Sequence, residues 1–298
     1  GGIGLFIAFL GLSDGGVVAA NKSTIIGFGD WTQPTTMLTL FGILLTFALF
    51  ARKVPGAIFI GLVLTAVAGL VTGLIHGPNS VISAVPSLAP TFGQAIWGIK
   101  DLGSLQMVVA ILTFLLVAFF DTAGSLVGLA RTAGFLKNNE LPNAGKALMA
   151  DSVGMLGGAL LGTSPTTAYI ESSTGIMVGG RTGLTSVFTG ILFLLSLAFS
   201  PLLTVVTSQV TAPALVVVGV LMASSLGSID WSDFPIAAAA FLTILGMPLS
   251  YSISDGIALG FIVYPFLMLV SGRGKQVHPI MYALGIIFVF FMIILQIN

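Results

Sequence analysis

One polar stretch interrupts an otherwise apolar part of the chain: Gly162-Thr163-Ser164-Pro165-Thr166-Thr167-Ala168-Tyr169-Ile170-Glu171. It combines a proline and a carboxylate with the hydroxyls of four serine and threonine residues. Irregular backbone at membrane depth is tolerated only where protein buries it or where it lines a cavity, and interrupted hydrophobic segments mark the binding sites of many transporters. The stretch therefore predicts a broken helix that forms one half of a site for a small polar solute.

The composition is that of a membrane protein. Of the 298 residues, 56% are hydrophobic and 7% are charged, and the mean hydropathy is +1.11. Because so few charges cannot cover the surface of a soluble domain, we predict an all-α polytopic protein of the cell (inner) membrane. The formal net charge of zero and the lack of charge runs argue against nucleic acid as a partner. With no cysteine and two histidines, neither a metal site nor a cofactor is expected.

The apolar segments and the basic residues between them give a consistent topology. Basic clusters at Arg52-Lys53, 131–146, Arg181 and 273–275 fall on one side of the membrane when every segment counts as a crossing. Lysine and arginine are enriched in cytoplasmic loops, so this side is predicted to face the cytoplasm. The predicted spans are 3–20, 36–50, 54–75, 103–130, 146–161, 168–180, 184–206, 212–228, 234–250, 254–271 and 279–296.

An internal repeat is indicated when the chain is shifted by 200 residues, which carries Asp30-Trp31 onto Asp230-Trp231. The hydropathy blocks coincide as well, 36–50 with 234–250 and 54–75 with 254–271. The shift passes over seven predicted spans, and an odd number reverses the orientation, so the two copies are predicted to be inverted in the membrane. On this pattern we expect four further spans before Gly1.

Two acids are predicted to lie at the same depth in the membrane. Asp121 precedes Arg131 by ten residues, and Glu171 precedes Arg181 by the same number. At the rise of a helix, each acid lies about 15 Å from the cytoplasmic boundary, near the middle of the hydrocarbon core. Charges within spans are costly and mostly functional. Asp121 and Glu171 are therefore the predicted centre of the site, and two isolated acids with local partners are the alternative.

The break is predicted to supply hydrogen-bond donors beside these carboxylates. If the helix starts near Thr166 or Thr167, its first backbone amides have no partner within the helix and face the cavity, with Ser164 and both threonines as caps. Such donors and acceptors suit a neutral solute with N–H and C=O groups on one edge, and two carboxylates disfavour an inorganic anion. Ser125, one turn beyond Asp121, contacts the solute or bonds its own helix.

Proton coupling follows from the same acids, because desolvation favours the protonated form of a carboxyl group. Asp121 is the predicted coupling residue and Glu171 the direct ligand of the substrate, although either acid could carry the proton and coupling to sodium stays open. Asp151 is expected to cap or brace its helix, with a hydrogen bond to the break as the alternative.

An intramembrane aspartyl protease is the competing interpretation of Gly27-Phe28-Gly29-Asp30 and the later Pro213-Ala214-Leu215. Asp30 lies in a polar loop and not in a span. The second candidate acid, Asp121, follows the glycine motif, whereas in that family it comes before. We therefore predict that the protein is not an enzyme.

The motif that ends in Glu171 resembles the tenth-span signature of the nucleobase–ascorbate transporter superfamily. Its residues are most similar to those of the AzgA-like purine permease branch. The motifs that carry the resemblance are the opening stretch continued by Ser172-Ser173-Thr174-Gly175, then Gly179-Gly180-Arg181-Thr182-Gly183-Leu184-Thr185, Phe119-Phe120-Asp121-Thr122-Ala123-Gly124-Ser125-Leu126, Thr211-Ala212-Pro213-Ala214-Leu215 and Met247-Pro248-Leu249-Ser250-Tyr251-Ser252-Ile253. The resemblance extends over essentially the whole chain.

The resemblance implies a uracil-permease-like fold of two inverted repeats of seven spans, of which spans 5–14 are present here. A gate domain would comprise 1–75 and 212–271, and a core domain that holds the substrate would comprise 103–206. A short extended break would precede the half-helix near 168–180, and 279–296 would be an extra hydrophobic segment.

The function that the resemblance implies is proton-coupled uptake of hypoxanthine, guanine or adenine by elevator-like alternating access, in a lipid bilayer and often as a homodimer. The predicted substrate-binding residues are Asp121, Ser125, Thr166, Thr167, Ile170 and Glu171. The alternatives are a carrier of anions or other solutes with the same fold, and a fragment that is inactive in transport.

Overall fold

The computed structural model describes residues 1–298 except 79, 99–102, 104, 137–140, 170, 171, 178 and 298. Most of the described residues are helical. The helices are α1 Gly2–Asp14, α2 Pro34–Ala51, α3 Ala57–Val71, α4 Gln94–Trp97, α5 Leu105–Ala133, α6 Ala144–Leu161, α7 Ser172–Met177, α8 Gly183–Ser196, α9 Ser208–Ala223, α10 Phe234–Ser250, α11 Ile253–Val270 and α12 Pro279–Ile297. Turns of 3₁₀ helix cover Leu197–Val205, Ser224–Ser228 and Gly274–Gln276, and strands β1 Val18–Asn21 and β2 Ile25–Phe28 form a hairpin.

Three of the described helical segments are long and apolar enough to cross a membrane: Pro34–Ala51, Gly183–Val205 and Ser208–Ser228. Five shorter apolar helices accompany them, at Gly2–Asp14, Ala57–Val71, Phe234–Ser250, Asp255–Val270 and Pro279–Phe290. Large apolar side chains stay exposed along these helices, for example Leu44, Phe59 and Phe193, each about 70% exposed. The prediction of a polytopic helical membrane protein is confirmed.

The chain divides into two compact units, one formed by Gly1–Val81 with Pro201–Asn298 and the other by Ile82–Ser200. In the first unit, α1 packs against α9, α2 packs against α3, and α10 packs against α11. In the second unit, α5 packs against α6 and α7.

Small residues bring the helices of the first unit close together. Gly4 of α1 and Gly219 of α9 face each other so closely that a side chain on either would meet the opposite backbone. Between α2 and α3, the buried Thr46 fills the space beside Gly61, and between α10 and α11, Thr243 does the same beside Gly260. Helices in a membrane associate through such close contacts, because lipid is as apolar as their side chains and burial from water supplies no driving force.

The first helix is shorter than predicted, because α1 ends at Asp14 and the rest of the predicted span 3–20 enters the hairpin. Gly16 has a φ of +74°, which a residue with a side chain rarely adopts, and the Val17 N–H donates to Leu12 O at 2.9 Å to close the helix. β1 and β2 then pair antiparallel, from Val18 opposite Phe28 to Asn21 opposite Ile25. A small β-hairpin therefore corrects the purely α-helical prediction.

The broken helix of the second unit is also shorter than predicted. The predicted half-helix 168–180 is reduced to Ser172–Met177, and residues 163–169 have no regular secondary structure. The neighbouring predictions 103–130 and 146–161 correspond to α5 and α6 within three residues at each end.

Candidate functional site

The break begins where α6 is closed by a glycine and by a second segment of chain. Gly162 has a φ of +79°, and a Cβ there would lie 2.6 Å from the Cβ of Thr91. Thr91 Oγ1 donates to Leu161 O at 3.0 Å, and the Gly93 N–H donates to Leu160 O at 2.8 Å. The last carbonyls of a helix have no partners within it, and these two bonds satisfy two of them, so α6 ends at a fixed point and the break leaves from it.

The break then runs back along a glycine face of α6. A Cβ on Gly158 would lie 3.0 Å from Thr163 Oγ1, and a Cβ on Gly154 would lie 3.1 Å from Thr166 Oγ1. Gly157, between them in sequence, has nothing within 4 Å of the corresponding position. The two glycines, four residues apart and so on one face of the helix, allow the threonines of the break to approach the α6 backbone.

A chain of three polar side chains connects the break to both neighbouring helices. Thr122 Oγ1 of α5 donates to Asp151 Oδ2 of α6 at 2.8 Å. The same hydroxyl lies 3.3 Å from Thr167 Oγ1 of the break. Thr122 is 1% exposed, and hydrogen bonds that exclude water are strengthened by the low local dielectric constant. This chain fixes the position of Thr167 between α5 and α6.

Ser125 lies three residues beyond Thr122 on α5 and is likewise buried. Residues three apart share a face of a helix, so the side of α5 that meets the break carries two hydroxyls. Of the predicted site residues, Ser125, Thr166 and Thr167 thus lie in the part of the second unit where α5, α6 and the break come together.

These contacts do not include the predicted pair of carboxylates. Ile170 and Glu171 lie outside the described residues. Asp121 belongs to α5 directly before Thr122, and its side chain lies outside the described part as well. The pairing of Asp121 with Glu171 stays a prediction.

The predicted start of the half-helix was wrong. α7 begins at Ser172, and Thr166 and Thr167 lie in the irregular segment before it. Pro165 disfavours helical geometry at Ser164, and the hydroxyls of the break find partners outside α7. Thr163 Oγ1 donates to Ser164 O at 2.9 Å, and Thr167 contacts Thr122. The extended wall is therefore longer, and the helical part shorter, than the sequence indicated.

The far end of the half-helix is tied to α5. The Arg181 guanidinium donates through Nη1 to Ala133 O at 2.6 Å. Ala133 is the last residue of α5, and basic groups at a helix C-terminus are stabilised by its exposed carbonyls. The Gly180 N–H donates to Gly175 O at 2.9 Å and closes the short helix. The segment 163–181 is thus held by α5 at two points, Thr167 and Arg181.

Two residues of this arrangement were absent from the predicted set of ligands. Asp151 was predicted to cap or brace its own helix, with a hydrogen bond to the break as the alternative. Thr122 was named only as part of the motif around Asp121. The contact between them joins positions 29 residues apart in sequence, so no local pattern predicts it. The available signal was a carboxylate within a span, which is costly unless it has a partner.

Known proteins of similar sequence identify the family to which the chain belongs. Residues 1–259 match the Xan_ur_permease family, described as "Permease family". The chain belongs to this permease family. It is 53% identical over 295 residues to the "Guanine/hypoxanthine permease PbuG" of Bacillus subtilis. The aligned region covers 99% of this chain and 67% of the relative.

Further relatives of the permease have related names. The "Guanine/hypoxanthine permease PbuO" of Bacillus subtilis is 43% identical, over 96% of the permease and 67% of the relative. The "Adenine permease AdeQ" of Escherichia coli is 41% identical, over 93% of the permease and 62% of the relative. The permease thus spans about two thirds of the length of these relatives.

Family membership confirms the resemblance of the glutamate motif to purine permeases. It also confirms that the protein is a membrane transporter by family and not an enzyme, so the protease interpretation of Asp30 no longer applies.

Proposed function

We propose that this permease takes up purine nucleobases (hypoxanthine, guanine or adenine) together with a proton. The observation that carries the proposal is the hydroxyl-rich break of residues 163–169, held between α5 and α6 by the contact of Thr167 with Thr122. Relatives that are 39–53% identical and named as guanine, hypoxanthine or adenine permeases support the substrate class.

The chemistry of a purine suits this site. A nucleobase is neutral and carries N–H donors and C=O or ring-nitrogen acceptors along its edges. In the proposed site, Asp121 and Glu171 accept from the N–H groups, while the backbone near Ile170 donates to the acceptors. The hydroxyls of Ser125, Thr166 and Thr167 complete the polar wall. Each unsatisfied polar group would cost about 1–3 kcal/mol, so a molecule without these groups is rejected.

Proton coupling is proposed to use the same carboxylates. For the proton to move with the nucleobase, one carboxyl group is protonated in the loaded and closed site, where the lack of water favours the neutral form, and it releases the proton after the site opens to the cytoplasm. Asp121 is the proposed coupling residue and Glu171 the direct ligand. Sodium is the alternative coupling ion.

We propose the inverted repeat of seven plus seven spans for the whole permease, with spans 5–14 in this chain. The first unit supports it through paired features. In the proposed repeat, α1 corresponds to α9, and the pair α2–α3 corresponds to α10–α11. α2 packs on α3 and on α9, and α10 packs on α11 and on α1, so each pair contacts the first helix of the other half. The Thr32 N–H donates to Asp30 Oδ1 at 2.9 Å, and the Ser232 N–H donates to Asp230 Oδ1 at 3.0 Å. Each turn precedes a helix with a proline in its first turn.

The proposed mechanism is an elevator. Residues 103–206 form the core domain that carries the nucleobase, and residues 1–75 and 212–271 form the gate domain against which it moves, with 279–296 outside the repeat. The proposal includes a homodimer in the lipid bilayer. The division of the chain into the units 82–200 and 1–81 with 201–298 is consistent with it.

A carrier of inorganic anions with the same fold is the second candidate, and a scaffold inactive in transport is the third. Two carboxylates in the site disfavour the anion, because each would repel it without screening by water. No observation in the structure favours the scaffold.

Uptake of radiolabelled hypoxanthine by cells that express the complete gene product tests the proposal. Wild-type protein is expected to accumulate hypoxanthine in a manner abolished by a protonophore, and Glu171→Gln and Asp121→Asn are expected to reduce uptake at least tenfold. Ser152→Ala, which removes an exposed hydroxyl bonded to its own helix at Leu148 O, is the control and keeps normal uptake. Normal uptake by both carboxylate variants would refute the site, and sulfate uptake without hypoxanthine uptake would favour the anion carrier.

A further inference from the structure

Trp31 and Trp231 have matching environments in the two parts of the first unit. The Trp31 indole N–H donates to Val17 O at 3.2 Å, and the Trp231 indole N–H donates to Leu226 O at the same distance. Each residue is 47% exposed. An indole has a single N–H donor, so both rings are held by the backbone at their polar edge and still present about half of their surface to the surroundings.

The two rings lie at opposite ends of the helix pair α1–α9. A Cβ on Gly1, at the beginning of α1, would meet the side chain of Leu226. A Cβ on Gly15, just after the end of α1, would lie 3.0 Å from the Cβ of Ala212. The helices therefore run antiparallel, and the chain advances by fourteen residues on each side between these contacts, which corresponds to about 21 Å in helical geometry. Because Leu226 binds one indole and Val17, beyond Gly15, binds the other, the separation of the rings is comparable with the hydrocarbon core of a bilayer, roughly 30 Å thick.

Each ring directly follows an exposed aspartate, Asp30 or Asp230. The side chain of Thr32 donates to Asp30, and the side chain of Ser232 donates to Asp230. These bonds are the largest causes that hold the pKa of both carboxyl groups below the ordinary value, so both are ionised at neutral pH. An ionised group is costly in hydrocarbon. Each ring is therefore adjacent to a point of the chain that must stay in water.

Apolar helix surface begins on the other side of each ring. α2 begins three residues after the first ring, and its Met37 and Leu44 are more than half exposed. α10 begins three residues after the second ring, and its Phe234 and Phe241 are more than half exposed. Tryptophan is enriched where lipid-facing surface meets water, because its ring is apolar and its N–H group is polar. Both rings thus lie in the surroundings expected at a membrane boundary.

We propose that Trp31 and Trp231 are paired anchors that lie in the headgroup layers of the two membrane surfaces and fix the depth of the first unit in the bilayer. Their partner is the lipid headgroup layer. Any movement of the unit along the membrane normal carries one ring toward water and the other toward hydrocarbon, so the pair opposes movement in both directions. The inference goes beyond the proposed function, because it requires neither a nucleobase nor a proton.

The anchors give the first unit a physical role in the proposed elevator. That mechanism needs one domain that keeps its depth while the other moves, and both tryptophans belong to the residues proposed as the gate domain. A gate that drifted with the core would reduce the displacement of the substrate across the membrane. This consequence rests on the proposed mechanism, whereas the anchoring itself does not.

Bracing of the loops is the simpler role for the same side chains. Phe28 packs edge-on against Trp31 with 5.3 Å between the ring centroids, and the bond to Val17 joins this loop to the end of α1. A brace works equally well in water, and a ring that is covered by a second copy of the chain contacts neither water nor lipid. Contact with the headgroup layer is therefore the property that separates an anchor from both alternatives.

The first measurement locates each ring by its fluorescence in phosphatidylcholine vesicles that contain the purified complete gene product. One variant keeps Trp31 and another keeps Trp231, with every other tryptophan replaced by phenylalanine. Lipids brominated next to the headgroup are expected to quench both rings at least twice as strongly as lipids brominated near the ends of the acyl chains. Quenching of either ring by neither lipid, or more strongly by the deep bromines, would overturn the proposal.

Two further positions calibrate the depth scale when a tryptophan is placed there in a protein without others. Leu44→Trp lies ten residues, about 15 Å, beyond the start of α2 and is expected to be quenched more strongly by the deep bromines. Ser23→Trp lies in the exposed turn of the hairpin and is expected to be quenched by iodide in water and by neither lipid.

The second measurement tests whether the rings hold the unit at its depth. The 298 residues contain no cysteine, so Met37→Cys, with any other cysteine of the complete gene product replaced, carries one spin label near the surface that holds Trp31. Its distance from that surface is measured in bilayers of short-chain and of long-chain lipids. In Trp231→Leu the distance is expected to stay constant. In Trp31→Leu it is expected to increase with the thickness of the bilayer, because only the opposite anchor remains.

Trp97→Leu is the matched control, because it removes the tryptophan of the second unit and is expected to leave the position of the label unchanged. Equal distances in Trp31→Leu and Trp231→Leu at both thicknesses would overturn the anchor role. If the leucine variants fail to fold, the quenching of the two unaltered rings decides the proposal alone. A failure of hypoxanthine binding would refute the proposed function and leave both measurements unaffected, so the two proposals are tested separately.

Discussion

Two exposed aspartates illustrate how single hydroxyls organise the loops of this permease. The side chain of Thr32 donates to Asp30, and this bond is the largest cause that holds the pKa of Asp30 below its ordinary value. The side chain of Ser232 has the same effect on the pKa of Asp230, with further contributions that include the charge of Arg273. Because the bonds favour the ionised form, they stabilise each turn only while the carboxyl group is charged.

Removal of the Ser232 hydroxyl is expected to raise the pKa of Asp230 toward its ordinary value. A depressed pKa in the folded state contributes stability that is present above the unfolded value, about 3.9, and is lost as the pH falls through the folded value. Ser232→Ala should therefore show a smaller drop in Tm between pH 6 and pH 3 than wild type does. Ser228→Ala is the control, because its hydroxyl bonds Ser225 O and no carboxylate. An equal drop in wild type and Ser232→Ala would contradict the assignment.

At the scale of elements, the shape of the break depends on which glycines of α6 face it. A side chain on Gly158 would press on Thr163 and Thr166, whereas one on Gly157 meets nothing within 4 Å. Gly158→Val is expected to displace the break and to weaken hypoxanthine binding at least tenfold. The reason is that the groups that contact the substrate would no longer lie at the right positions. Gly157→Val has the same helix propensity and should bind normally.

Equilibrium binding to both purified variants, with Tm as the check of folding, makes this comparison. Equal affinities would mean that the break does not form part of the site.

The limits of prediction are visible in the same elements. The long helices α5 and α6 follow from long segments that are mostly apolar, so their positions were predicted within three residues. The end of α1 was missed because the residues from Val17 to Ala20 continue the apolar run, although β1 begins at Val18, and the signal for the turn was the short sequence Ser13-Asp14-Gly15-Gly16. The late start of α7 was missed because Pro165 also suits the first turn of a helix.

The connection of Thr122, Asp151 and Thr167 depends on three separate segments meeting in space. Each residue alone fits its own element: a hydroxyl in a helix, an acid within a helix, and a threonine in an irregular segment. Their joint role depends on the approach of the break to α6, which Gly154 and Gly158 allow. Sequence spacing predicts which face a residue is on but not which distant residue meets it.

At the scale of the whole molecule, the inverted repeat predicts opposite exposure of two similar turns. If the halves are inverted, Thr32→Cys and Ser232→Cys lie on opposite sides of the membrane. A membrane-impermeant maleimide added to intact cells is expected to label Thr32→Cys and not Ser232→Cys, and both after permeabilisation. The absence of cysteine from the 298 residues makes each thiol specific here. Labelling of both from the same side would contradict the inverted arrangement.

The central claim is that the break and its two acids form a binding site for purines. Isothermal titration of the purified complete gene product with hypoxanthine, beside Glu171→Gln, tests it most directly. The account predicts saturable binding that guanine or adenine displaces and sulfate does not, and a loss of at least tenfold in affinity in Glu171→Gln. Binding of sulfate in place of purines, or equal affinity for hypoxanthine in wild type and Glu171→Gln, would contradict it.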